Sequence, residues 1–250
     1  SAGVAVGTNA TSSANSAIAL GADSTSSAVN GIALGVIASS SGSQSIAIGT
    51  IASAGGYDSI VIGSYSTTSS ANSTVVGANS AANSSQATAL GSQSTADAQW
   101  SSAMGHQANA TGAGASAIGS YSAAAGQYAA AVGLQANASG TRSFAGGTRA
   151  QATGEYSVAI GGDGTDEDSL GASASGASAV SVGREAIASG NESLAVGADA
   201  VSSGLRTTAF GYGANASGLQ TTAAGTGSSA DGIGTLAFGS FATARGNYAM

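Results

Sequence analysis

The chain is predicted to be all-β, a parallel β-solenoid (β-roll) of about seventeen coils of fourteen residues each. Three observations predict it. Glycine recurs every fourteen residues, at Gly7, Gly21, Gly35, Gly49, Gly63, Gly77, Gly91, Gly105, Gly119, Gly133, Gly147 and Gly161, then at Gly183, Gly197, Gly211, Gly225 and Gly239. Between these glycines, small residues alternate with polar or bulky ones, the period-two signature of short strands. The 250 residues also include no proline, so every backbone can donate to a strand on either side.

With the repeating glycine as position 0, position +3 is Ala or Ser and position +5 is Ala, Ser or Thr in each uninterrupted coil. Position +7 is often Gly, as at Gly112, Gly126, Gly140, Gly154, Gly176 and Gly190, and position +12 is nearly always Ala. Each coil is therefore two seven-residue halves, each a turn followed by a short strand. Fourteen residues are too few for a pair of helices. Glycine at each turn is expected to supply the positive φ. Seventeen coils at the ~4.8 Å strand spacing predict a rod roughly 80 Å long. The one irregular interval, Gly161 to Gly183, is twenty-two residues, or fourteen plus eight. It places an insertion, GDGTDEDS, at about 162–169 of an otherwise single repeat domain spanning 1–250. The array begins and ends inside a repeat, as a piece of a longer protein would.

The two halves differ in what they turn outward. Positions +4 and +6 are polar, as in Asn137/Ser139 and Asn215/Ser217. Positions +11 and +13 carry large apolar pairs: Ile18/Leu20, Ile32/Leu34, Ile46/Ile48, Ile60/Ile62, Val158/Ile160, Val180/Val182, Leu194/Val196 and Leu236/Phe238. Ala and Ser at +3, +5, +10 and +12 can meet inside a thin coil, where Ile and Leu would not fit, so the large residues are expected outside. Val61, at a +12 position, is then expected inside. Two apolar columns along such a rod expose on the order of 800 Å², more than a monomer ordinarily leaves bare. Those sixteen residues are therefore expected to form an interface between copies of the chain. The alternative, a monomer with Ile and Val inside and Ala and Ser outside, demands wider turns than seven-residue halves offer.

Composition excludes several functions. Five arginines and no lysine against twelve carboxylates give a net charge of −7, which disfavours nucleic acid and anionic membrane surfaces as partners. Without cysteine there are no disulfides and no thiolate metal sites. Only 7% of residues are charged, but the mean hydropathy of +0.19 and the strict period argue against disorder. No stretch is apolar for long enough to span a bilayer as a helix, and the first residues show no signal-peptide pattern.

The segments QSIAIG, DSIVIG, NSTVVG, YSVAIG and ESLAVG, followed by xxAxASG, resemble the head repeats of YadA-like trimeric autotransporter adhesins across nearly the whole chain. The resemblance implies a left-handed roll, three chains packed side by side as a homotrimer, and display on an outer-membrane-anchored fibre at the bacterial surface. It implies a non-enzymatic function, attachment to host cells or to extracellular matrix, with collagen-like ligands among the candidates. Neck, stalk and membrane-anchor patterns are absent from these residues, so the resemblance covers the head alone. A structural spacer that projects a separate binding domain is the alternative role.

Stacked coils align equivalent positions into columns. Column +9 gathers Trp100, Tyr128, Arg142 and Tyr156, where aromatic and cationic side chains on successive turns suit either a ligand surface or a self-stabilising ladder. Column +2 gathers Tyr65, Gln93, Gln107, Tyr121, Arg149 and Phe241. In the insertion, Asp163, Asp166 and Asp168 are candidate calcium ligands, although the local pattern departs from known calcium repeats at Asp168. His106, the only histidine, lacks any accompanying nucleophile motif, so no cofactor and no catalysis are expected. An ice-binding surface would need a long threonine column, and Thr207/Thr208 with Thr221/Thr222 extend over two coils only.

Overall fold

A computed structural model describes residues 2–164 and 170–250. Among these, every regular element is a strand of two or three residues, and each coil contributes one of each half. The chain forms two compact units, up to Tyr121 and from Ser122 onward. In the first, the three-residue strands from Val4–Val6 to Ser116–Ile118 stack in parallel, and the short strands from Thr11–Ser12 to Asn109–Ala110 form a second parallel stack. The second unit repeats this plan, from Ala130–Val132 to Leu236–Phe238 and from Ala123–Ala124 to Thr243–Arg245. The architecture is a parallel β-solenoid of about 17 coils with 14-residue spacing.

Register follows the period directly. Ile18, Ala19 and Leu20 pair with Ile32, Ala33 and Leu34, each partner one coil onward. Where the insertion intervenes, Val158 still pairs with Val180 and Ile160 with Val182, so the extra residues leave the ladder undisturbed.

The interior is built of small side chains. Ala19, Ala33 and Ala47 at +12, and Ala52, Ala54, Ala138 and Ala152 at +3 and +5, are fully buried. Among the described residues Val61 and Val75 are the largest fully buried side chains, and they lie on paired strands. Large aliphatic residues do lie outside: in Ile46–Ile48 and Ile60–Ile62 the middle residue is buried and both isoleucines reach solvent. The reason is volume. A Cβ added at Gly31, a +10 position, would come within 2.5 Å of the Ser40 Oγ and 2.8 Å of the Ser26 Oγ, so between these two serines there is no room even for a methyl.

Most hydroxyls in this core are satisfied because the turns offer them carbonyls, although those of Ser26, Ser143, Ser193, Thr221 and Thr235 are buried without a partner. Ser24 Oγ donates to the Gly21 carbonyl and Ser59 Oγ to the Gly56 carbonyl, both at 2.8 Å. Where +5 and +10 are both hydroxylated, they bond across the coil, as in Ser40–Ser45, Thr68–Ser73 and Ser202–Thr207, each at 2.7 Å.

Turn chemistry corrects the expectation about glycine. Most turns close with the amide of +3 donating to the carbonyl of 0, as in Ala10 to Gly7 (3.2 Å), or the amide of +10 donating to that of +7, as in Gly31 to Ala28 (3.0 Å). Position 0 has φ near +135°, as at Gly21 (137°) and Gly35 (133°), and needs glycine for its conformation. The other recurrent positive-φ places, +2 and +9, are held mostly by residues with side chains: Asn9, Gln44, Tyr65, Trp100 and Arg142 all have φ between 55 and 61°. Glycine at +7 serves a different need. A Cβ at Gly140 would lie 2.6 Å from the carbonyl carbon of Gly154 in the next coil, so glycine is there for close approach. Among the described residues only Ile37 (φ 59°) and Ile51 (φ 59°) place a β-branched side chain in the left-handed region, at a cost of about 1–2 kcal/mol each.

Candidate functional site

Strand alternation and turn geometry give each unit two distinctive surfaces. The first is the outer face of the three-residue strands. All sixteen residues expected at an interface project outward, half-buried or exposed, because each is covered only by its neighbours one coil above and below. The strip is not uniformly bare. Leu194 and Val196 are both half-buried rather than exposed. Val196 is a short side chain, paired in register with Val182 on one side and the larger Phe210 on the other, so its column neighbours screen much of it. Phe238, near the end of the array, is by contrast 81% exposed.

Large and small residues compensate along this face. The Phe144 ring leans over Gly146 in its own strand, where a Cβ would meet it at 2.9 Å. Ala224 sits between Phe210 and Phe238 in its column, leaving a notch of about 310 Å³ floored by Gly225 and Gly239.

The second surface is the pair of turn edges. The left-handed conformation at +2 and +9 aims side chains into solvent, and ladder hydrogen bonds stack each turn over the previous one: the Arg142 amide donates to the Gln127 carbonyl and the Tyr156 amide to Thr141 (2.8 and 2.9 Å). Arg142 is held between two tyrosine rings, 5.9 Å from the Tyr128 centroid and 5.5 Å from that of Tyr156, and its Nη1 donates to the Tyr156 hydroxyl at 2.6 Å. The structure thus joins three of the four residues suggested as a ligand surface. Trp100 belongs to the first unit, where it is exposed at φ 59°.

Further ladders pair equivalent positions one coil apart. Asn9 donates to Asp23 at 3.0 Å, Gln107 donates to Gln93, and Arg206 Nε donates to Glu192 Oε2 at 2.8 Å. The Arg206 hydrogen bond, aided by its charge, holds the Glu192 carboxyl below the ordinary glutamate range, and Glu192 raises Arg206 in the same way. His106 meets Tyr121 edge to face at 5.4 Å.

At the insertion, the Asp163 amide donates to the Thr148 carbonyl (3.0 Å), the bond an ordinary +2 residue makes, and the Ala172 amide closes the turn onto Gly161 (3.2 Å). Asp163 therefore fills the +2 place and Ala172 the +3 place, so the eight extra residues are 164–171, two later than the sequence placed them. Asp163 pairs with Arg149, which also donates to Gln135 at 2.8 Å. Asp166 and Asp168 lie outside the described residues, and among the described ones no three His, Asp or Glu side chains gather at a metal-sized spacing.

Sequence reasoning missed the ion pair of Arg184 with Asp199 (3.1 Å) and the apolar turns at Val36, Ile37 and Ile51. Aligning column +2 coil by coil reveals the latter, since Ile37, Ile51 and Tyr65 are consecutive in it.

The family model of the YadA head domain repeat matches residues 2–24, 26–50, 54–80, 101–122, 124–150, 147–163, 174–200, 202–228 and 230–250. No curated protein matches the chain.

Proposed function

The chain belongs to the YadA head domain repeat family, and from that premise we propose that it is the head of a trimeric autotransporter adhesin that attaches a bacterial surface to host cells or extracellular matrix, collagen-like proteins included. The reading takes residues 1–250 as one head domain, with the outer face of the three-residue strands as the interface of a homotrimer. One observation carries it: Ile60 (36%), Ile62 (40%) and Ile160 (42%) leave large aliphatic surface bare beside a core of alanine. Burying such side chains stabilises association by ~1.5–3 kcal/mol each, gross. Half-buried members of the strip, Val196 among them, contribute less. Attachment then arises from many equivalent weak contacts along repeated turns, multiplied by three chains and by fibre density.

Sedimentation equilibrium and solid-phase binding to a panel of matrix proteins test it together. A trimer that binds at least one matrix protein is the expected result. A stable, soluble monomer refutes the assembly. A trimer that binds nothing refutes the adhesive role and leaves the chain as a spacer.

A further inference from the structure

Three successive coils are apolar on two surfaces at once: the strand face, apolar along much of the array, and the turn edge beside it. On the strand face these coils carry Ile32/Leu34, Ile46/Ile48 and Ile60/Ile62. Three residues after each pair, at the turn, stand Ile37, Ile51 and Tyr65, exposed by 50, 37 and 58%. Val36, beside Ile37, is 45% exposed. Their amides stack the turns, Ile51 donating to Val36 and Tyr65 to Thr50, both at 2.9 Å. Elsewhere column +2 is mostly polar, Tyr121, Phe241 and two glycines aside, and its polar members pair along the ladder, as in Asn9–Asp23, Gln93–Gln107 and Gln135–Arg149–Asp163.

Ile37 and Ile51 are also the two β-branched residues in the left-handed region, a conformation that Asn9 and Asn79 adopt with less strain at the same place in other coils. A strained, exposed, apolar residue where asparagine fits better needs a partner outside its own coil.

We infer that, in these three coils, the contact between copies of this chain turns the corner from the strand face onto the turn edge, and that Val36, Ile37, Ile51 and Tyr65 pack against a second copy. The inference rests on the self-assembly proposed above. A second copy is the occupant because the corner is continuous with the apolar strand face and carries no charge. Area is consistent with it: the corner adds on the order of 300 Å² to a strand face of roughly 800 Å², enlarging a patch that already exceeds what a monomer ordinarily leaves bare.

The test is the double variant I37N/I51N of the full chain, followed by sedimentation across a dilution series and by thermal unfolding monitored by circular dichroism. Strain relief and lost contact pull in opposite directions. The variant is expected to keep its β signal while self-association weakens at least tenfold. The strand-face variant I46S/I48S serves as the comparison and is expected to lose association altogether. If I37N/I51N associates as tightly as the parent while I46S/I48S does not, the corner faces solvent and the inference fails alone. If association is unchanged but binding to a matrix protein drops, the corner serves a different partner, and the inference is again overturned. A parent chain that stays monomeric at every concentration removes both readings at once.

Discussion

Replacing Gly140 with alanine should damage the fold far more than replacing Gly213, although Gly213 is the one with positive φ (+62°). The Cβ of an alanine at 140 would meet the Gly154 carbonyl oxygen first, and would sit 2.6 Å from the Gly154 carbonyl carbon and 3.0 Å from the Thr153 oxygen. Ordinary carbon–carbon contact needs about 3.5 Å, so the next coil must move away by roughly 1 Å. Three ladder bonds cross that gap: the Ser139 and Gly140 amides donate to Ala152 (3.0 and 3.2 Å), and the Tyr156 amide donates to Thr141 (2.9 Å). At ~1 kcal/mol net each, with further cost for any donor left buried, the loss is about 3–4 kcal/mol. At Gly213 nothing lies within 4 Å of the added Cβ, and only the left-handed conformation is charged, about 1 kcal/mol. Gly213→Asn should be neutral or slightly stabilising, since Asn9 and Asn79 hold that conformation in other coils. Guanidinium unfolding followed by circular dichroism, at one protein concentration, should give midpoints in the order Gly213→Asn, Gly213→Ala, Gly140→Ala, highest first. A Gly140→Ala midpoint equal to or above that of Gly213→Ala would refute the close-approach argument.

Arg142→Ala removes two cation–π contacts and the bond to Tyr156, and should lower unfolding stability by about 1 kcal/mol, with Arg142→Lys recovering part of it. The Glu192 carboxyl, followed by NMR, should titrate below the ordinary glutamate range and return to it in Arg206→Ala. Because its folded-state pKa is depressed, this pair's contribution is present above the unfolded-state pKa and fades as pH falls through the folded one. In Arg206→Ala that pH dependence should disappear.

How much was legible follows from the range of each determinant. The opposed directions of Ile46 and Ala47 were readable because alternation and side-chain volume are properties of a few adjacent residues. Val61 was readable for the same reason: a +12 residue faces inward whatever its size. The outward direction of Val196 was readable too, but not its degree of exposure, which Val182 and Phe210 set from the adjacent coils. The role of Gly140 was not readable, because its neighbour is Gly154, and only the separation between coils distinguishes a glycine kept for close approach from one kept for φ. Asp163 was misassigned to the insertion because an acidic run looks uniform in sequence. Its amide bond to Thr148 is what places it in the turn.

The sequence by itself determined the coil, its fourteen-residue register and which face of each strand is inward, since all three repeat locally. The tertiary structure decided what happens between coils. It gave Arg149 its partner Asp163 and Arg184 its partner Asp199. It also held Ile37 and Ile51 in a conformation their side chains disfavour, because stacked turns set the backbone through hydrogen bonds to the preceding coil.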